Sequence, residues 1–263
     1  MLTSTVKIVT FLLAIAVFSG QAWASSHRAR PDLEARAKGI QSILLLPPKV
    51  EVFQLDAGGV KETIDEWTVQ ASKNLVTAVE EKLKSGLGYQ AIFLSEDSLS
   101  EEVKSNLEET YGLFYAVNAG ILLHTYSPPG PPGWVFEDKV KDFDYSLGTE
   151  VRGLRRGEVE ALLMIKGHDH IWTEGRKALQ FFAVVLGIGA RVGLGVGTIP
   201  IFGGNTELSV ALVDSNTGSI LWYSHVGSLS GYDLRESSSV TSLVEQLFKD
   251  FPTAKEEKMQ ISE

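Results

Sequence analysis

Short apolar runs bounded by turn residues recur through the first half of the chain. They predict strands over residues 40–46, 50–55 and 89–94. The first run is apolar at every position from Ile43 to Leu46 and is followed by two prolines, which is typical of a strand buried on both faces. Residues 56–59, of sequence DAGG, form a strong turn signal after the second run.

Between these runs, apolar residues recur with the period of a helix. The clearest case predicts a helix over residues 65–85, with Gly86 at the position of a left-handed C-cap. A second helix is predicted to begin at Ser98, which has the spacing of a capping box with Glu101, and to end near Tyr111. Residues 113–126 are predicted to continue as a separate, more apolar helix.

The second half contains a predicted helix over residues 144–155, a strand over 159–166 and a final helix over 237–251. Two alternating runs, 207–213 and 219–226, flank the turn sequence DSNTG and predict a β-hairpin. Together these elements predict an α/β (α+β) fold. We expect a mixed β-sheet flanked by helices, with a C-terminal β-hairpin and final helix, in a single domain over residues 39–251.

The N-terminus has the three parts of an export signal. Lys7 supplies the positive charge, residues 8–18 are apolar, and the small-x-small pattern at residues 22–24 predicts cleavage between Ala24 and Ser25. The apolar run is much shorter than the roughly twenty residues of a membrane-spanning helix. We therefore expect residues 1–24 to be removed on export, residues 25–38 to form a flexible lead-in, and residues 252–263 to form a charged tail.

Composition excludes several classes of function. The chain has no cysteine, so it has no disulfide, no thiolate chemistry and no cysteine for attaching a lipid. Its net charge of −9 gives no general attraction to nucleic acid. Its 263 residues are enough to bury a substantial core without covalent crosslinks.

No catalytic motif stands out, and we expect neither catalytic residues nor a cofactor. The glycine-rich run over residues 187–197 never completes a dinucleotide-binding or phosphate-loop pattern. The candidate metal ligands are His168, His170 and Glu174, because two histidines one residue apart on an extended chain share a face. A metal site requires three or four ligands, and those beyond the two histidines would have to come from Glu174, His124 or His225. The alternative interpretation is that His168 and His170 are simply exposed to solvent at the end of the strand.

The segment 178–204 contains a single charged residue, Arg191. It is interpreted either as a buried helix with a glycine-rich loop, as a membrane contact, or as a surface for self-association or for an envelope protein partner. A pocket for an apolar ligand is a further alternative. The expected contact residues are Phe181, Phe182, Val185, Leu186, Ile188, Leu194, Ile199, Ile201 and Phe202.

The order of these elements and two sequence stretches support a family resemblance. The stretches are EALLMIKG at residues 160–167 and ALVDSNTGSILW at 211–222, which contains the pattern D-x-x-T-G-x-I-L-W. The chain resembles bacterial envelope proteins of the CsgG-like and penicillin-binding-protein-activator-like group, which share a TolB N-terminal-like α/β domain. Many members are lipoproteins, whereas this chain lacks the cysteine.

The resemblance implies a non-enzymatic accessory protein of the periplasm or of the periphery of the outer membrane. Members of the group serve as subunits of secretion channels or as partners of envelope machinery, and the channel-forming ones insert membrane-crossing hairpins into the α/β domain. We therefore expect protein–protein contact or self-assembly, in secretion or in maintenance of the envelope. The alternatives are a metal-binding protein or metal-dependent hydrolase, and a periplasmic carrier of an apolar ligand.

Overall fold

The structure, a computed structural model, describes residues 26–96, 99–126, 135–155, 157–175, 205–229 and 231–254. The elements are β1 (Ser26–Ala29), α1 (Leu33–Ala37), β2 (Ser42–Leu45), β3 (Lys49–Leu55), β4 (Lys61–Thr63), α2 (Asp65–Glu81), β5 (Gln90–Phe93), α3 (Glu101–Thr125), α4 (Glu137–Asp142), β6 (Ala161–Trp172), β7 (Asn205–Asp214), β8 (Ile220–Leu229) and α5 (Ser237–Leu247). A π-helical turn, Lys82–Gly86, extends α2, and a 3-10 helix forms over Thr149–Leu154.

The described strands form one mixed sheet of eight strands in the order β1-β8-β7-β6-β2-β5. Strand β6 is long enough to pair in parallel with β2 at its start and with β3 further along, and β4 extends the sheet beyond β3. Antiparallel pairs join β6 to β7 and β7 to β8. The predicted fold class and the C-terminal hairpin are both confirmed.

Apolar side chains are buried on both faces of the sheet. In β6, Leu163 and Ile165 pack against the face covered by α2 and α5, whereas Leu162 and Met164 pack against the face covered by α3. This arrangement explains why the central strands are apolar at nearly every position.

The prediction of two helices between Ser98 and Tyr126 is wrong. A single helix of 25 residues, α3, begins after Ser100, whose side chain makes no capping hydrogen bond. One buried stripe continues through Gly112 at intervals of three or four residues, so packing on the sheet favours an unbroken helix. The predicted cap residue Ser98 lies outside the described residues.

The chain before the first predicted strand also differs from expectation. Residues 26–37, expected as a flexible lead-in, form β1 and α1 instead. The outer edge of β8 provides backbone partners for β1, and the Arg28 guanidinium donates a hydrogen bond to the carbonyl oxygen of Thr125 at the end of α3 (3.2 Å). The predicted helix over 144–155 is reduced to the 3-10 helix that ends at Leu154, while the short α4 precedes it.

Several predicted features lie outside the described residues. They are the signal peptide with its cleavage site at Ala24 and Ser25, the segment 178–204, and the charged tail from residue 255. Of the helices formed by the described residues, none combines the length and the apolar character needed to cross a membrane.

Candidate functional site

His168 and His170 lie on the same face of β6, as their spacing predicts. Their ring centroids are 4.7 Å apart, and the His170 ring stacks on Phe53 of the neighbouring strand β3 at 5.4 Å. The strand continues to Trp172, six residues beyond its predicted end at Lys166. The two imidazoles therefore belong to the face of the sheet and not to a loop that leaves it.

The other predicted ligands do not join this pair. Glu174 lies beyond the end of β6, His124 of α3 is within hydrogen-bonding distance of the Tyr145 hydroxyl (3.1 Å), and His225 of β8 is 3.1 Å from the Ser209 hydroxyl. Within the described ranges, no three histidine, aspartate or glutamate side chains form a group that could hold a metal ion. Two of the three candidate ligands are thus brought together without Glu174.

Asp169, between the two histidines, points to the opposite face and is fully buried. Its carboxylate accepts hydrogen bonds from the Thr206 hydroxyl and from the backbone N–H of Leu234, both at 2.9 Å. Burial raises the pKa of this carboxyl group, and the two hydrogen bonds oppose that rise. The residue connects β6, β7 and the segment before α5, so its role is structural.

The face that carries His168 holds a small pocket of about 120 Å³. The alternation of three adjacent strands turns polar residues toward it, and Tyr115 of α3 contributes to its wall. Its lining consists of Glu51, Phe53, Lys61, Tyr115, Lys166, Gly167, His168, Glu207 and Ser209. A side chain at Gly167 would collide with the Glu207 carbonyl oxygen, so glycine permits the close approach of β6 and β7 here.

The cationic groups of the pocket lie against aromatic rings. The Lys166 ammonium nitrogen is 4.3 Å from the centroid of the Tyr115 ring, and the Lys61 nitrogen is 3.5 Å from that of Phe53. Burial lowers the pKa of Lys166, although the negative charge of Glu207 opposes the effect. Burial also lowers the pKa of His168, whose Nε2 atom lies 4.0 Å from a carboxylate oxygen of Glu207.

A chain of buried polar groups runs from the pocket beneath α3. The Ser209 hydroxyl lies between the His225 Nδ1 atom (3.1 Å) and the Tyr223 hydroxyl (3.0 Å). The Tyr223 hydroxyl donates to the side-chain oxygen of Asn118 at 2.7 Å. Burial raises the pKa of Tyr223 well above its usual range and lowers that of His225. These contacts hold α3 in position over β7 and β8.

The structure fixes both ends of the connection that contains the predicted contact segment. Strands β6 and β7 pair without interruption from Ala161 opposite Asp214 to His170 opposite Asn205. Residues 173–204 connect their ends, beyond the part of β6 that carries the two histidines. The predicted contact residues, from Phe181 to Phe202, lie outside the described residues.

Lys166, Glu207 and Ser209 line the pocket but were not predicted as site residues from the sequence. Their signal was present, because polar residues occupy alternate positions at 166, 168 and 170 of β6 and at 207 and 209 of β7. Such alternation next to continuous apolar runs indicates strands of which one face is lined by polar groups.

Comparison with known proteins adds a likeness of shape alone. No protein-family model and no curated protein matches the chain. A solved PelC dodecamer from Paraburkholderia phytofirmans is similar over 88% of this chain and 98% of its own, with 11% identity and a TM-score of 0.34. A variant PelC dodecamer from the same organism is similar over 85% and 94%, with 12% identity and a TM-score of 0.33. Likenesses at this level support no conclusion about the family or the function of the chain.

Proposed function

We propose that the chain is an exported, non-enzymatic accessory protein of the bacterial envelope that works by protein–protein contact or self-assembly. The contact is made by the segment 178–204, which connects β6 to β7. The proposed location is the periplasm, at the periphery of the outer membrane. The role is in secretion or in maintenance of the envelope.

The length of the connection between β6 and β7 is the observation that supports this proposal most. Adjacent antiparallel strands are commonly joined by two to five residues. Here residues 173–204 join two central strands whose register is already set by continuous pairing from Ala161 to His170. The sheet therefore does not require a connection of this length.

The composition of the connection favours contact with another surface. From residue 178 to 204 the only charge is that of Arg191, and the first half is crowded with large apolar side chains. An apolar surface of this extent requires cover, whether by the domain itself, a second copy, a partner protein or lipid. The export signal and the resemblance to envelope proteins with inserted hairpins favour cover by an envelope component.

The test replaces residues 176–204 by Asn-Gly, which leaves a connection of seven residues between His170 and Asn205, the last pair in register. Because the pairing of β6 with β7 remains, we expect this shortened protein to keep its circular dichroism spectrum. The mature full chain should fractionate with the envelope and co-purify with a partner or with further copies of itself, and the shortened protein should do neither. Monomeric, partner-free behaviour of both proteins would contradict the proposal.

A single substitution distinguishes loss of the proposed contact from loss of folding. Phe182→Asp places a charge in the proposed contact segment and should release the protein from the envelope fraction. Leu123→Asp is the matched control, because Leu123 is an exposed apolar residue of α3 (49% exposed) and its replacement also adds one charge. We expect the control to behave as the unmodified chain does.

A further inference from the structure

Four charged side chains line the pocket on the α3 face of the sheet without pairing with one another. They are two lysines and two glutamates, Lys61, Lys166, Glu51 and Glu207. Among the described residues, no hydrogen bond or ion pair joins either lysine to either glutamate; Glu207 instead lies beside His168, at 4.0 Å. Glu51 and Lys61 are exposed, whereas Lys166 and Glu207 are partly buried, so the separation of the latter two charges requires an explanation.

The strand register makes this separation notable for Lys166 and Glu207. Lys166 lies opposite Ser209 and His168 lies opposite Glu207, which makes the lysine and the glutamate diagonal neighbours on adjacent strands. Diagonal neighbours of this kind are within reach of long side chains. The ammonium group lies instead against the Tyr115 ring, and the two charges remain apart with the pocket beside them.

Lys166 and Glu207 are partly buried, and neither side chain forms a hydrogen bond among the described residues. The Lys166 ammonium is half-buried and makes no hydrogen bond or ion pair among the described residues. A carboxylate ligand would provide a charge-assisted hydrogen bond to it. On the other side, the Glu207 carboxylate lies 4.0 Å from the His168 Nε2 atom, beyond hydrogen-bonding distance, so it can accept a hydrogen bond from a ligand ammonium.

The balance of charge decides between classes of ligand. The charges of the two lysines and the two glutamates in the lining cancel. A simple anion would be repelled by Glu207 and Glu51, and a simple cation by Lys166 and Lys61. A molecule that bears both charges meets an opposite charge on each side, and the volume of about 120 Å³ limits it to a small one.

We propose that this pocket binds a small zwitterion with an ammonium and a carboxylate close together, as in a free α-amino acid. Its carboxylate lies on Lys166 and its ammonium on Glu207, with the ring of Tyr115 as an apolar wall. None of the residues that line the pocket belongs to the segment 178–204, so this binding and the proposed envelope contact are tested by different variants and can fail independently.

The experiment titrates the mature full chain with L-alanine, acetate and methylammonium by isothermal titration calorimetry at pH 7.5. L-Alanine should bind, and each single-charge probe should bind at least about tenfold more weakly, because it lacks one charged hydrogen bond and faces one repelling charge. Lys166→Met and Glu207→Gln should each weaken the binding of L-alanine by about tenfold or more. Lys139→Met, at an exposed lysine paired with Asp144, is the control and should leave binding unchanged.

Three results would overturn the proposal. Acetate binding as tightly as L-alanine would indicate an anion site, and methylammonium binding as tightly would indicate a cation site. Absence of L-alanine binding to a chain with a cooperative thermal transition would exclude the site altogether. The same transition, measured for each variant, shows that a loss of binding is not a loss of folding, and the conservative Glu207→Gln change keeps the test decisive if Lys166→Met fails to fold.

Discussion

The carboxylate of Asp169 accepts a hydrogen bond from the backbone N–H of Leu234 at 2.9 Å, and this contact fixes the start of the last helical segment to the centre of the sheet. Asp169 is fully buried and lies between two histidines that point to the other face of β6. One strand thus presents a structural carboxylate to one side and the candidate site to the other. Changes at Asp169 should therefore affect stability, whereas changes at Lys166 should affect binding.

Replacement of Asp169 by alanine should destabilise the fold strongly. The change leaves the N–H of Leu234 and the hydroxyl of Thr206 without their acceptor, at a cost of about 3 kcal/mol. Asp169→Asn keeps a side-chain oxygen and should cost clearly less. Urea denaturation measures both, with Glu109→Ala at an exposed position of α3 as the control. Equal, small losses for the alanine and asparagine variants would show that these hydrogen bonds contribute little.

The same residue should leave a signature in the pH dependence of stability. Burial raises the pKa of Asp169 above its ordinary value of 3.8, so the folded protein binds this proton more tightly than the unfolded chain does. Its contribution is therefore favourable at low pH and is lost as the pH rises from about 3.8 through the raised pKa. The free energy of unfolding of the unmodified protein minus that of Asp169→Asn, measured as a function of pH, should fall over this range. A difference that is flat or rises with pH would contradict the assignment.

His225 should act in the opposite direction and at higher pH. Burial lowers its pKa below the ordinary 6.5, so below that pH the unfolded chain binds the proton more readily than the folded protein. The free energy of unfolding should consequently decrease as the pH falls below about 6.5. His225→Gln should flatten that decrease. Unfolding by urea at pH 7.5, 6.5 and 5.5 compares this variant with the unmodified protein, and an unchanged decrease in the variant would contradict the prediction.

Purified mature protein should contain no stoichiometric transition metal. His168 and His170 provide two imidazoles, and in the described part of the chain no third histidine, aspartate or glutamate completes a group able to hold a metal ion. Stable zinc sites use three or four protein ligands. Elemental analysis after dialysis measures the content directly. One equivalent of zinc that disappears in His168→Ala would favour the metal-binding alternative.

Features set by local sequence could be predicted, and features set by pairing between distant segments could not. The hairpin of β7 and β8 was predictable because the turn DSNTG lies between two alternating runs. The true end of β6 was not predictable, because the polar side chains from Lys166 onward are typical of the end of a buried strand, whereas Lys166 and His168 line the pocket and strand pairing continues to Trp172. The predicted boundary between two helices, between Tyr111 and Leu113, was wrong, because packing of α3 on the sheet outweighs the local sequence preference for an end there.

The pocket illustrates the same limit. Glu51, Lys166 and Glu207 lie on three strands that are far apart in sequence, and only the parallel pairing of β3 with β6 and the register of β6 with β7 bring them together. The shared face of His168 and His170 required only the two-residue period of a strand, and that part of the site was predictable.

The central claim, that the connection between β6 and β7 is a contact surface, is tested most directly by particle mass in detergent-solubilised envelope extract. The mature full chain and the protein with residues 176–204 replaced by Asn-Gly are compared by size-exclusion chromatography with light scattering. We expect the full chain to migrate in an assembly larger than one copy and the shortened protein to migrate as a monomer. The same monomeric mass for both proteins would contradict it.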